Sequence, residues 1–307
     1  MAPVKPRALR PGDLLGVCAP SGPPDPDRLR RGVAAVEALG FPVRVPEGLL
    51  ARTRFTAGSV ERRVDELHAL FADDAVKGVL CARGGAGAGQ LLPALDETLL
   101  RSHPKVFVGF SDATFLHLYF DRLGLVSFHG PMVAWDFPEG SYDPGSFRRA
   151  VMGEGAAYAS EEGDLMPVRA GQAEGRLRGG CLTILAAAAG TPWQLPPDEG
   201  TVLFLEDVDE APYRIDRMLR QLRDSGGLQG VAGVVFGDMK GCVPRLDADY
   251  SLEDVIGDAL AGLDIPIAVG LSSGHTSSPN LTLPLGVRAR LHCGEEASFE
   301  VLEPSVS

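Results

Sequence analysis

The chain has 307 residues, 45% of them hydrophobic, which is length enough to bury the core of one large or two modest domains and too apolar for a disordered chain. A net charge of −12 argues against a nucleic-acid partner. The five cysteines are scattered with no C-x-x-C pair, which excludes a disulfide framework and a cysteine zinc site and points to a reducing compartment.

The apolar run Leu14–Ala19 is too short for a signal-peptide core and follows Asp13 directly. No apolar stretch reaches the roughly 18 residues that a membrane span needs. The chain therefore reads as a cytoplasmic protein. Asp13–Ala19 is a predicted strand. Asp25-Pro26 then caps and opens a helix carrying Leu29, Val33, Val36 and Leu39, which Gly40 ends. Val43–Val45 is a short strand, and Ser59 caps a helix with Val64, Leu67 and Phe71 on one face. Val76–Ala82 is a strand, followed by the glycine-rich turn Arg83–Gly89 and a helix. Lys105–Phe110, a helix to Leu123 and the strand Leu125–Phe128 complete the series. This alternation predicts a parallel sheet covered by helices, whose ligands bind beyond the carboxyl ends of the strands. The turns Pro20–Pro24, Arg83–Gly89, Ser111 and His129–Trp135 should all open on that edge.

Residues 137–172 lack clear periodicity and are punctuated by Pro138, Gly140, Pro144, Gly145, Gly153 and Gly155, so they read as a connection with a short helix at Phe147–Met152. That divides the chain into an N-terminal domain, 1–136, and a C-terminal domain, 173–307. In the latter, Thr201–Leu205, Val231–Gly237 and Ile265–Leu271 are strands, and Pro212–Arg223 and Leu252–Leu263 are helices. Leu281–Leu283, Val287–His292 and Ser298–Leu302 are short closing strands, and Gly179-Gly180 reads as a structural turn before a helix.

Three polar groups stand where an active site needs them. Ser111 sits on a sharp turn between a strand and a helix, which lifts a hydroxyl above the sheet and aims the next N–H at the same space. The same Ser-Asp pair also reads as an ordinary helix N-terminus. Glu206 ends an apolar strand, and taken alone the cluster Glu206–Glu210 reads as solvated, or as a hard-cation site. His275 follows another strand and suits a general base. His129 lies near the same edge as a supporting residue, and His117 reads as packed. The Arg83–Gly89 turn matches a dinucleotide fingerprint only in part and lacks the P-loop lysine, so it either cradles a phosphate or brings backbone N–H groups to a substrate.

Eight segments occur in order: Gly12-Asp13 with Ala19-Pro20-Ser21-Gly22, Arg83-Gly84-Gly85-Ala86-Gly87, Gly109-Phe110-Ser111-Asp112, His129-Gly130-Pro131, Gly175 to Gly180, Gly190-Thr191-Pro192, Leu205-Glu206-Asp207 and Gly274-His275-Thr276. Together they resemble the LD-carboxypeptidase family of serine peptidases, and the muramoyltetrapeptide carboxypeptidases within it. The resemblance implies a flavodoxin-like N-terminal domain of α/β class, helices on both faces of its parallel sheet, and a smaller C-terminal α/β domain with additional short strands. It implies Ser111 as nucleophile, His275 as general base and Glu206 as its partner, with the site between the domains. The implied oxyanion donors are the N–H of Asp112 and one from Gly84-Gly85, with Gly85 preferred. The implied reaction releases a terminal D-alanine from a murein tetrapeptide without metal or cofactor, in a homodimer. Arg83 and Arg178 are candidates to meet the substrate carboxylate. Two positions depart from the family pattern: Ala86 replaces an aromatic residue beside the oxyanion turn, and Cys181 replaces an asparagine. Alternatives are a related self-immunity peptidase that hydrolyses peptide- or aminoacyl-nucleotide conjugates, a nucleotide-binding protein without catalysis, and a wall-peptide binding protein that has lost turnover.

Overall fold

The computed structural model describes residues 3–154, 158, 160 and 165–307, which form two β-sheets flanked by helices. In chain order the first unit comprises β1 (Leu14–Cys18), α1 (Pro26–Ala38), β2 (Val43–Arg44), α2 (Val60–Ala72), β3 (Val76–Cys81), α3 (Glu97–Ser102), β4 (Val106–Gly109), α4 (Thr114–Arg122), β5 (Ser127–His129) and α5 (Pro144–Met152). The second comprises β6 (Met166–Arg169), β7 (Gly171–Cys181), α6 (Leu182–Ala188), β8 (Thr201–Glu206), α7 (Pro212–Asp224), β9 (Val231–Gly237), α8 (Leu252–Ala259), β10 (Ile267–Leu271), β11 (Leu283–Leu285), β12 (Arg288–Cys293) and β13 (Ala297–Val301).

The first sheet runs β2-β1-β3-β4-β5 with all strands parallel, the flavodoxin-like order, and β11 adds an antiparallel edge on β5. Strands β1 and β4 are continuously apolar because both faces of the sheet are covered. Val106 and Val108 of β4 pack into one core cluster, whereas Phe107 between them packs into the other. The helix starts follow the sequence chemistry: the Asp25 carboxylate accepts the Arg28 N–H, and Ser59 Oγ accepts the Arg62 N–H. The second sheet runs β13-β12-β7-β8-β9-β10-β6, with β7 to β10 parallel and the outer strands antiparallel.

Three segments differ from the sequence expectation. Gly179-Gly180 is not a turn but the end of the 11-residue strand β7, whose glycines and alternating charges mask its apolar pattern. A Cβ on Gly179 would lie 1.9 Å from the Phe204 carbonyl oxygen, so the close approach of β8 requires glycine there. The residues after the glycine-rich turn form two single 3-10 turns, Ala88–Gln90 and Leu92–Ala94, before the short α3. The connection contains a strand, β6, on the edge of the second sheet, while Gly155 lies outside the described residues. No helix among the described residues is long and apolar enough to cross a membrane.

Candidate active site

The carboxyl ends of β1, β3, β4 and β5 are laced together by backbone bonds. Gly22 N donates to Gly84 O at 3.2 Å, Gly130 N to Gly109 O at 3.2 Å, and Ala134 N to Ala82 O at 2.7 Å. Ser111 stands at the centre of this edge with φ +62, in the left-handed region that a non-glycine residue adopts only when its surroundings impose it. It opens a 3-10 turn, Ser111–Ala113, that runs into α4. Neither the turn nor α4 has a side-chain cap bond, so the serine does not serve as a helix cap. The buried Asp112 carboxylate instead accepts the Ala88 N–H at 2.8 Å and ties the glycine-rich loop to the elbow.

Gly84 of that loop packs directly on the serine. A Cβ there would sit 2.8 Å from both Cβ and Oγ of Ser111. A methyl there must displace the serine or the loop, so Gly84→Ala is expected to lower the urea midpoint by the equivalent of about 1–3 kcal/mol, read from denaturation curves of the two proteins. The loop is also clamped from behind by Arg63, a residue of α2 that is 1% exposed. Its Nη1 donates to Pro20 O at 2.7 Å and Gly87 O at 2.8 Å, and its Nη2 to Gln90 Oε1 at 2.7 Å. Glu66, one turn along α2, accepts the Ala19 N–H at 2.8 Å. Sequence reasoning missed both residues. The weak signal for them is a pair of charges on the apolar side of a helix.

Glu206 ends β8 and is fully buried. The solvated reading fails for Glu206 and Asp207, which are both buried, and holds for Asp209, which is exposed. Glu206 Oε2 accepts His275 N at 2.9 Å and bonds His275 Nδ1 at 2.8 Å. The Asp207 carboxylate is buried too, accepting Thr183 N, Thr183 Oγ1 and Val208 N at 2.7–2.9 Å. Among the described residues no group of three or more histidine, cysteine, aspartate or glutamate side chains is placed to hold a metal. Burial pushes the Glu206 carboxyl up, but the imidazoles of His129 and His275 outweigh it and hold it at about 2. Burial likewise lowers His275, and the bond and charge of Glu206 overcompensate, leaving it above its ordinary 6.5.

His275 is bound to Glu206 directly, and it meets the Ser111 elbow through Phe110, whose ring contacts the imidazole edge-on at 5.0 Å between centroids. Among the described residues no hydrogen bond joins Ser111 Oγ to His275. The His275 loop is anchored by a polar chain that the sequence did not reveal. Gly274 N donates to Asn280 Oδ1 at 2.9 Å, Asn280 Nδ2 to Asp136 Oδ1 at 3.3 Å, and Met132 N to Asp136 Oδ2 at 2.8 Å. Burial raises the Asp136 carboxyl to about 6. His117 is packed as expected, between Ser127 Oγ and Gly109 O at 2.8 Å each.

Arg178 cannot meet a substrate. It is 2% exposed and held by Asp121 at 2.5 Å, with further bonds to Pro196 O and Thr201 Oγ1. Its aspartate partner lies 57 residues earlier, which is why position alone misled. Arg83 is half-buried beside the elbow, with Nε 3.2 Å from Gly84 O and no ion-pair partner among the described residues. Ala86 is exposed on the loop, and Cys181 ends β7 with its N–H on Thr114 Oγ1 at 3.0 Å.

Comparison with known proteins gives one family. The model of the LD-carboxypeptidase N-terminal domain matches residues 15–130, and that of the LD-carboxypeptidase C-terminal domain matches 174–291. A probable murein peptide carboxypeptidase of Bacillus subtilis is 39% identical, with the match covering 99% of this chain and 95% of the relative. The crystal structure of a muramoyltetrapeptide carboxypeptidase from Oxalobacter formigenes superposes with a TM-score of 0.83 at 31% identity, covering 95% of this chain and 99% of the other. The structure of MccF in complex with glutamyl sulfamoyl guanosine superposes with a TM-score of 0.89 at 23% identity, covering 99% and 100%, a likeness of fold.

Proposed function

The chain belongs to the LD-carboxypeptidase family, and we propose that it is a serine-type L,D-carboxypeptidase that removes the C-terminal D-alanine of a murein tetrapeptide. The observation that carries the reading is the buried Glu206–His275 pair set against the strained Ser111 elbow. In this reading Ser111 Oγ attacks the carbonyl of the penultimate residue while His275 Nε2 takes the hydroxyl proton. The Glu206 carboxylate accepts Nδ1–H and so keeps Nε2 free to act as base. The N–H groups of Asp112 and Gly85 receive the oxyanion. His275 returns its proton to the amine, D-alanine leaves, and water attacks the acyl-enzyme by the same proton route. Residues 1–136 then supply the nucleophile and 173–307 the base and its partner.

Because the base must be neutral and His275 lies above its ordinary value, kcat/KM is expected to rise with pH through an apparent pKa above 6.5. A pH–rate profile checks the position of that limb. Arg83 is the cation for the terminal carboxylate. Arg83→Gln is expected to raise KM for the tetrapeptide by about 10- to 100-fold, the range of a charge-assisted bond, and to leave hydrolysis of the C-terminal amide analogue unchanged. Comparing the two substrates in both proteins tests it.

The deciding assay incubates the protein with murein tetrapeptide and, separately, with an aminoacyl-sulfamoyl nucleoside of the kind bound by MccF. Release of one alanine, detected by mass spectrometry, supports the reading. Hydrolysis of the nucleoside conjugate alone assigns the self-immunity type of activity instead, and tight binding of the conjugate without hydrolysis of either substrate removes catalysis altogether. We extend the reading to a cytoplasmic homodimer serving peptidoglycan recycling, and sedimentation velocity tests the dimer.

A further inference from the structure

One oxygen of the buried carboxylate has no donor. Glu206 Oε2 takes both bonds from His275, whereas Oε1 lacks a hydrogen-bond partner among the described residues. The atom facing it is His129 Nε2, 3.7 Å away, equally buried and equally unpartnered.

The proton inventory of this contact follows from its neighbour. Ser273 Oγ donates its single hydrogen to Leu281 O at 3.0 Å. Toward His129 Nδ1, 3.2 Å away, it therefore accepts, and Nδ1 carries a hydrogen. An imidazole with its only proton on Nδ1 would turn a bare lone pair toward the carboxylate. Two acceptors would then face each other in a dry interior, walled by Phe110 and Phe204 at ring distances of 5.7 and 4.9 Å. A proton on Nε2 converts that clash into a charge-assisted bond.

We propose that His129 is a positioning residue of the active site, holding a proton on Nε2 against Glu206 Oε1 so that the carboxylate is fixed between two imidazoles. This rests on the reading of Glu206 as the partner of His275. The titratable groups that face the contact are His117, 6.1 Å from His129 between ring centroids, and His275 on the opposite oxygen, with Asp207 and Cys181 beside Glu206. Burial lowers His117 to about 3, so it is neutral and adds no rival cation.

His129→Leu removes both donor and charge, and His129→Gln keeps a donor without the charge. The leucine protein is expected to lose about 10- to 100-fold in kcat with KM little changed, and glutamine to restore most of that loss. In both, the acid limb of kcat/KM moves to higher pH, because the full Glu206 charge then acts on His275 alone. A residue with a merely structural role would leave that limb in place, so a folded His129→Gln protein with the wild-type limb overturns the proposal. An independent readout is the 15N NMR spectrum of the wild-type imidazoles at pH 7. Both nitrogens of His129 are expected to be protonated, and a bare Nε2 overturns the proposal whether or not the variants fold. If the wild-type protein releases no alanine from tetrapeptide, the functional reading fails while the NMR spectrum still decides the proton.

Discussion

Ser111→Ala protein is expected to fold normally and to turn over tetrapeptide roughly 10,000- to 1,000,000-fold more slowly than wild type, the scale of losing a nucleophile in a serine peptidase. The side chain caps no helix, so its removal costs the fold little. What remains is catalysis by the oxyanion donors and by binding alone. The backbone adds a second, independent expectation. At φ +62 an alanine is as strained as the serine, whereas a glycine is not. Ser111→Gly should therefore be more stable than Ser111→Ala by about 1 kcal/mol, and equally inactive. Urea denaturation of the pair separates strain stored for function from ordinary packing. Equal midpoints would show that the elbow stores no strain.

Glu206→Gln is expected to cost about 10,000-fold in kcat, the scale of removing the carboxylate charge from a serine-peptidase triad. The carboxylate accepts two hydrogen bonds from one residue, from the His275 backbone N and from Nδ1. Both bonds fall on Oε2, so an amide oxygen in that place keeps them and sets its NH2 where Oε1 faces His129 Nε2. What is lost is the negative charge that stabilises the His275 imidazolium as it forms. The electrostatics add a pH signature. Loss of the Glu206 charge lowers His275, so any residual activity should show its acid limb at lower pH than wild type. The folded protein holds Glu206 at about 2, below the usual carboxylate value of about 4.3 in the unfolded chain. That depression stabilises the native state above the unfolded value and is lost as pH falls toward 2. Melting curves from pH 5 to pH 2 should accordingly fall more steeply for wild type than for Glu206→Gln.

The residues that carry the proposed chemistry were legible because each interrupts an apolar strand pattern at its carboxyl end. Ser111 follows β4, Glu206 closes β8, and His275 lies four residues after β10. The parallel sheet was legible for a related reason, the alternation of apolar strands with capped amphipathic helices, whereas its flavodoxin-like order followed from the family resemblance alone. What escaped was whatever depends on distant partners. Arg63 looks like any helix arginine until the carbonyls of Pro20 and Gly87 are brought to it. Asp136 and Asn280 are ordinary loop residues until a fold joins positions 144 apart. Arg178 presents the converse case, a promising cation whose charge is already met by Asp121. Strand β7 was hidden because close backbone approach replaced its side chains with glycine, which erases the period that marks a strand. Likewise β11 lies in the later half of the chain yet pairs with β5 of the first sheet, a crossing that local pattern does not encode.

The proposed mechanism requires Ser111 to become acylated by the tetrapeptide. Acid-quenching the protein during turnover and mapping the covalent adduct by peptide mass spectrometry tests it most directly. A tripeptidyl ester is expected on the fragment containing Ser111, absent from Ser111→Ala. An adduct on a different residue, or alanine release by Ser111→Ala at the wild-type rate, would contradict it.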